Sequence, residues 1–361
     1  MLGKIFTALT ALLVVFHSVN VMASDEYTFA KLIERQPLKY PPDAAAMGWE
    51  GWAYYSFVIS ADGRVQDFKI LDSNGLDKLN SALKKSIESS IYDPATYDGI
   101  PVSERSRVGR ATFMLSNKPR GAGRHFLPRY RKLVKALESG EVENAWTLIQ
   151  ELESKEGRSL YEELYLQAQY VTYYALTGDK DREYLHALRV LDFYAEEDSK
   201  NYMVEPEFFT QYLVRIYQYE IAAMMLGDAF GSAEWLSNIA AGSEINDKIQ
   251  AHTRKVRKSV ENKEFWISGK LVQPIYGGDL SIWDTRLARR EFELKNVTGD
   301  IEAIGVYCDR GIKRLTYTPG QGWIIPRSWG ACDLSVVGRS GATFVVAELP
   351  DGTLATTQAA K

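Results

Sequence analysis

Four histidines, two cysteines and several adjacent acid pairs are the residues of this chain best suited to catalysis or metal binding. His17, His125, His186 and His252 stand far apart, and none has a second ligand at metal-site spacing. Glu162-Glu163 and Glu196-Glu197 fall on helix-patterned stretches, where the expectation is a solvated polar surface. Cys308 and Cys332 lack C-x-x-C spacing and have no adjacent His to activate a thiolate. In an oxidising compartment they are expected to pair as a structural disulfide worth roughly 3–4 kcal/mol. Two buried thiols and a redox pair are the alternatives. Gly338-Arg339-Ser340-Gly341 reads as a turn, not a Gly-x-Ser-x-Gly elbow, and neither a P-loop nor a dinucleotide fingerprint occurs. No metal and no cofactor is expected. An enzyme reading survives only as a site near Trp323 and Trp329, which read first as core residues, as does Tyr317.

Binding is the chemistry that remains. Arg105, Arg107 and Arg110 lie in the stretch 103–115 (SERSRVGRATFML), which begins polar and ends apolar, as a strand emerging at a sheet edge would. Cations there either steer an acidic segment or blunt the edge against aggregation. The elements that must position this edge lie just upstream. Residues 52–59 (WAYYSFVI) are aromatic and β-branched, which suits a strand buried on at least one face. Asp62-Gly63 is a hairpin signal, and Val65, Phe68 and Ile70 read as the return strand. Leu76, Leu79, Leu83, Ile87 and Ile91 recur three or four apart and line one helix face, with Pro94 expected to stop that helix. The unit is strand–strand–helix–strand.

Several short motifs run through this stretch in order: Tyr40-Pro41, Gly48-x-x-Gly51, Asp62-Gly63-x-Val65, Ser73-x-Gly75, Tyr92 two before Pro94-Ala95, and Asp98-Gly99-x-Pro101. Together they resemble the C-terminal domain of the TonB energy transducers. The resemblance implies a module without catalysis that adds an extended peptide to its open edge, here at Arg105, Arg107, Arg110, Thr112 and Phe113. It also implies the partner, a short N-terminal box of an outer-membrane receptor. Ser90 stands where family members commonly carry Trp, and no long Pro-rich spacer separates the N-terminal apolar run from Tyr40. A second reading is therefore a cell-envelope scaffold that reuses the fold without energy transduction.

Lys4, the apolar run 5–16 and Val21-Met22-Ala23 read as a signal peptide cleaved before Ser24, which places the chain in the periplasm. The alternative is an uncleaved inner-membrane anchor with the remainder facing the periplasm. A net charge of −4 argues against general nucleic-acid binding. Residues 117–124 are basic and breaker-rich, as in a linker. From about Leu127 to Val260 the pattern is helical, with turns expected at Ser139-Gly140, Thr177-Gly178-Asp179 and Gly227-Asp228. Repeated helix–turn–helix units resemble a tetratricopeptide-type array, which would hold a second partner. Its Tyr stripe (Tyr161, Tyr165, Tyr170, Tyr173, Tyr174, Tyr212, Tyr217, Tyr219) reads as inter-helix filling or as a peptide or glycan groove. From Phe265 to Leu349 the period shifts to two, with turn signals at Gly299-Asp300 and Pro319-Gly320.

The expected fold class is α+β multidomain: signal peptide 1–23, TonB C-terminal-like α/β domain 24–116, linker 117–126, α-helical repeat domain 127–262, antiparallel β domain 263–350 and tail 351–361. The expected activity is non-enzymatic binding of an outer-membrane TonB-dependent receptor or another envelope protein, linked to transmembrane transport.

Overall fold

The computed structural model describes residues 19–21, 27–105, 108–115, 121–155, 157–194, 204–272, 280–309 and 311–354. The N-terminal region contains β1 (Val19–Val21), β2 (Tyr27–Thr28), β3 (Lys31–Glu34), α1 (Pro42–Ala46), β4 (Gly51–Ile59), β5 (Val65–Ser73), α2 (Asp77–Glu88), β6 (Ile91–Asp93), β7 (Ala95–Tyr97), β8 (Ile100–Val102), β9 (Glu104–Arg105) and β10 (Gly109–Phe113). Its main sheet has the order β10-β4-β5, with β9 continuing the β10 side of β4.

Strand β4 is apolar almost throughout because both of its faces are covered. Ala53, Tyr55, Phe57 and Ile59 pack on Leu79, Leu83 and Ile87 of α2. Trp52 and Tyr54 point the other way, into the helical core. Helix α2 ends at Glu88, one turn earlier than the apolar spacing suggests. The Ser89 and Ser90 hydroxyls donate to the Lys85 and Ser86 carbonyls at 2.7 and 3.0 Å, and satisfy the last turn. Ile91 is thereby released into β6, which pairs with β3. Pro94 follows that strand rather than stopping the helix.

Seven helices follow: α3 (Phe126–Glu138), α4 (Val142–Glu153), α5 (Leu160–Thr177), α6 (Lys180–Leu191), α7 (Glu207–Ala222), α8 (Leu226–Ile239) and α9 (Glu244–Val260). Each packs on its sequence neighbour, and α3 also reaches α5. Gly178 takes the left-handed position that ends α5, and the Asp179 carboxylate caps α6 by accepting the Arg182 N–H at 3.1 Å. The third turn differs from the expectation. It falls at Ala223–Met225, with Met224 in the left-handed region, and Gly227-Asp228 lies in the first turn of α8. Gly227 is needed there because an added Cβ would collide with the Arg286 carbonyl. Asp228 accepts the Thr285 hydroxyl at 2.6 Å and the Arg286 N–H at 3.2 Å. These two residues therefore serve the join between helices and strands.

The acid pair Glu162-Glu163 is buried, not solvated. Glu162 closes a capping box with Ser159 at the start of α5 and also accepts the Gly123 N–H at 2.9 Å. Glu163 pairs with Arg158 at 2.9 Å and accepts from Gln167 at 2.7 Å. Helix periodicity missed both because most of their partners lie outside the helix: Ser159 and Arg158 in the turn before it, and Gly123 well upstream. Glu196-Glu197 lies outside the described residues. Within the Tyr stripe, Tyr170, Tyr174, Tyr212 and Tyr217 are buried, while Tyr161, Tyr165, Tyr173 and Tyr219 are half-buried.

Glu220 carries a pH signature. It is buried between α7 and its neighbours, accepting the Ser232 hydroxyl at 2.7 Å and the Tyr184 hydroxyl at 3.3 Å. Burial, with Asp228 nearby, pushes its carboxyl up to about 8. A raised folded value means the folded state holds the proton longer than the unfolded chain. Stability from this group is full below the ordinary carboxylate range and is lost as pH rises through about 8. Glu220→Gln is expected to leave the melting temperature unchanged near about pH 5 and to raise stability by a few kcal/mol, on the order of the linkage limit, near about pH 9. Differential scanning calorimetry at the two pH values checks this.

The C-terminal region holds β11 (Phe265–Lys270), β12 (Leu280–Arg286), β13 (Glu291–Thr298), β14 (Ile301–Cys308), β15 (Gly311–Leu315), β16 (Gly322–Ile324), β17 (Cys332–Arg339) and β18 (Thr343–Leu349). Two sheets, β1-β16-β13-β18-β11 and β12-β17-β14-β15, enclose one core. Val19–Val21, inside the stretch read as a signal peptide, runs parallel to β16 at the edge of the first sheet. Trp323 and Trp329 are buried in the core, and Tyr317 packs against it. Cys308 and Cys332 sit opposite each other in the β14–β17 register, with Cα atoms 4.0 Å apart, and are joined by a disulfide.

Candidate peptide-binding edge

Strand β10 is the terminal strand of the N-terminal sheet. Gly109 to Phe113 pair with Tyr55 to Gly51 through five consecutive residues without a register shift. Among the described residues, no strand pairs with the other side of β10. The opposite edge, β5, is irregular. It shifts register twice against β4, holds Asp67 in the left-handed region and shows Gln66, Asp67 and Lys69 along its length. Bulges and charges of this kind protect an edge.

The five residues expected at the binding edge are placed differently from one another. Thr112 is exposed, whereas Phe113 is 3% exposed and packs in the core under α2. Phe113 thus offers its backbone, not its ring. Arg110 turns toward the helices. Its Nη1 donates to the Asp192 carbonyl at 2.7 Å, and its guanidinium lies 5.5 Å from the Phe193 ring centre. Its Nε is 3.8 Å from the Asp192 carboxylate, too long for a hydrogen bond. Burial draws both groups toward neutrality, Arg110 down to about 10 and Asp192 up to about 7. The firm contact is therefore the guanidinium on the carbonyl. Arg105 pairs through its backbone with Val58, and Arg107 lies outside the described residues.

Behind the edge, the second face of the sheet is locked onto the helices. Trp52 is 5% exposed among Leu160, Leu164 and Ala168. The Arg189 guanidinium lies 5.6 Å from the Trp52 ring and forms a largely buried ion pair with Asp72 of β5. Burial raises the Asp72 carboxyl even against this attraction. Buried Glu50 holds the two regions together through one carboxylate. One oxygen accepts the Leu115 N–H at 2.9 Å, just after β10, and the other accepts the Leu160 N–H at 3.0 Å, at the start of α5. A carboxylate at a helix N-terminus also meets the positive end of the helix dipole. Trp49 fills the space over Gly157, whose φ of +69° and missing Cβ make room for the indole.

Of the histidines, His186 is buried beside Gln167 at 2.6 Å and stacks on Tyr170. Burial, then Arg189 and Arg182, hold it down to about 3, so it stays neutral. His252 contacts the Tyr217 hydroxyl at 2.8 Å, and His125 lies next to Arg124. His17 lies outside the described residues. Among the described residues there is no cluster of three or more His, Cys, Asp or Glu able to hold a metal.

Glu50, Trp52, Asp72 and Arg189 escaped the sequence reading as a docking set. One signal was available: the run 52–59 lacks the polar alternation of a strand with one wet face.

The geometry is that of a small α/β sheet with one regular edge strand. The family model for the Gram-negative bacterial TonB protein C-terminal matches residues 36–113, and this part of the chain is similar to that domain. That family is one of non-enzymatic interaction proteins. A stretch of 54 residues is 43% identical to Protein TonB of Helicobacter pylori (strain J99 / ATCC 700824). The same holds for Protein TonB of Helicobacter pylori (strain ATCC 700392 / 26695). The match takes in 15% of this chain and 19% of each relative, so the chain spans less than a fifth of the length of these curated relatives. The solution NMR structure of the Pseudomonas aeruginosa TonB CTD is similar at 23% identity and a TM-score of 0.23, covering 28% of this chain and 97% of that one. No helix among the described residues is long and apolar enough to cross a membrane.

Proposed function

We propose that this chain is a periplasmic binding protein whose residues 36–113 take up an extended peptide as a further strand on the outer side of β10. The peptide belongs to an outer-membrane TonB-dependent receptor or another envelope protein. The observation that carries the reading is the regular, unshifted β10 at the end of the sheet, beside an opposite edge broken by bulges and charges. Affinity then comes from backbone hydrogen bonds and selectivity from side-chain pockets along the edge. Thr112 would contact the peptide, and Arg105 and Arg107 would steer an acidic segment toward the edge. Arg110, tied to Asp192, would fix the strand in place.

The helices are proposed to form a tetratricopeptide-like array that holds a second partner. The first pair opens at Phe126 and the second at Leu160, close to the period of about 34 residues typical of such repeats. The division into 24–116, 117–126, 127–262, 263–350 and 351–361 belongs to the same proposal, as does secretion through residues 1–23 or anchoring by them. A scaffold role without energy transduction is the second reading. It is favoured by the sheet's docking on α5 and α6, which ties the module to the rest of the chain.

Capture from detergent-solubilised envelopes tests the edge, with the full chain as bait and Ala111→Pro and Thr112→Pro as variants. Successive residues of an edge strand point their N–H groups to opposite sides. One variant therefore breaks the β4 ladder and melts early, while the other keeps its melting temperature. The variant that melts normally is expected to lose receptor capture by about tenfold or more, the value of about one to two backbone hydrogen bonds. Undiminished capture by that variant would move the binding site elsewhere.

A further inference from the structure

Strand β16 lies at one end of the first C-terminal sheet and has a neighbour on each side. On the inner side β13 pairs with it antiparallel, Glu291 to Glu293 against Ile324 to Gly322. On the outer side Val19, Asn20 and Val21 run parallel to it, opposite Gly322, Trp323 and Ile324. Those three residues belong to the stretch 1–23 read as a signal peptide. Secretion would therefore take away the strand that covers this edge.

The edge beneath is held from several sides. The Trp323 indole is 1% exposed in the core, 5.2 Å from the Phe292 ring. Leu354 packs on the opposite face with Ile324, where Gly322 has no side chain to block it. The Glu291 carboxylate ties that segment down by accepting the Leu354 N–H at 2.8 Å. Past the strand, the Ile325 N–H donates to the Arg290 carbonyl at 2.7 Å, and the Arg290 guanidinium donates to the Pro326 carbonyl at 2.9 Å. These contacts fix β16 without help from Val19–Val21. An edge ordered in advance loses little entropy when a strand adds to it. It also lacks the devices that guard an edge: Gly322-Trp323-Ile324 has no charge, no proline and no register shift on either side. Among the described residues, its cover is β1.

We infer that β16 is a second strand-accepting edge, masked by Val19–Val21 in the precursor and opened to an envelope partner when residues 1–23 are removed. The partner offers an extended, uncharged segment with β-branched residues, laid parallel to β16 as Val19-Asn20-Val21 is. This role rests on the proposed secretion through residues 1–23, and not on the β10 edge.

Fluorescence anisotropy with a labelled peptide of residues Ser18–Ser24 (SVNVMAS) tests it, against the full chain and against residues 24–361. The shorter form is expected to bind the peptide. The full chain should bind about tenfold more weakly or less, because its own strand fills the edge at high effective concentration. A peptide with proline at the positions of Asn20 and Val21 loses whichever N–H faces β16, and should bind 24–361 about tenfold more weakly. Should 24–361 melt early, the full chain carrying Asn20→Pro and Val21→Pro uncovers the edge without truncation and is expected to bind the peptide. Hydrogen exchange locates the site: the peptide should slow exchange in Gly322–Ile324 and leave Gly109–Phe113 unchanged. Absent binding, binding indifferent to proline, or protection at Gly109–Phe113 instead would overturn the role of β16. Self-association of 24–361 that the peptide dissolves would overturn the envelope partner in favour of a second copy. Mass spectrometry of the exported protein decides secretion separately. A chain starting at Met1 would overturn the unmasking whatever the peptide does, whereas a start at Ser24 with no peptide binding would sink the edge alone.

Discussion

Trp52→Ala is expected to cost about 3–5 kcal/mol, as large-to-small changes at buried aromatic sites do. The indole is not part of the TonB-type core under α2. It projects from the other face of β4 into the helical core and carries the Arg189 guanidinium on its ring. Truncation removes apolar contact with Leu160, Leu164 and Ala168 and also the surface that Arg189 covers. Urea unfolding followed by circular dichroism should show the lowered midpoint, and hydrogen exchange should rise in β4, α5 and α6 before it rises in α3 or in the C-terminal sheets. Trp52→Phe keeps most of the apolar contact and should cost far less. A midpoint that stays put in the alanine variant would mean that the sheet does not dock on the helices through this residue.

Arg189→Met is expected to lose about 3–5 kcal/mol, because it leaves the Asp72 carboxylate buried without its partner. The size of the loss reflects the stranded charge more than the value of the pair. Adding Asp72→Asn removes that charge, so the double variant should recover most of the stability. Asp72→Asn alone should also be costly, because it leaves the largely buried Arg189 guanidinium without its carboxylate. A double-mutant cycle in urea measures the coupling. If the double variant were as unstable as Arg189→Met, the loss would come from packing of the long Arg stem on Trp52, not from charge.

Locally encoded features were legible. Asp62-Gly63 closes its turn, and Leu79, Leu83 and Ile87 form one face of α2 as their spacing indicates. The end of α2 was not legible, because Ser89 and Ser90 stop it by bonding back to the preceding turn while Ile91 is captured by β3. Gly227-Asp228 has the composition of a turn but lies inside α8, since the approach of Arg286 excludes any side chain at position 227.

The chain's own sequence determined the order of strand and helix patterns, the TonB-type motifs between Tyr40 and Pro101, and the presence of two cysteines able to meet across neighbouring strands. Each rests on residues close together, on backbone preferences and on apolar spacing. Tertiary structure alone decided which polar groups leave water. Asp72 meets Arg189 across 117 residues, and Glu50 meets the N–H of Leu160 across 110. It also decided that Arg110 is spent on Asp192 while Thr112 stays exposed on the same strand. A charge is tolerated in the interior only where a partner waits for it. When that partner lies a hundred residues away, no local pattern marks the residue as buried.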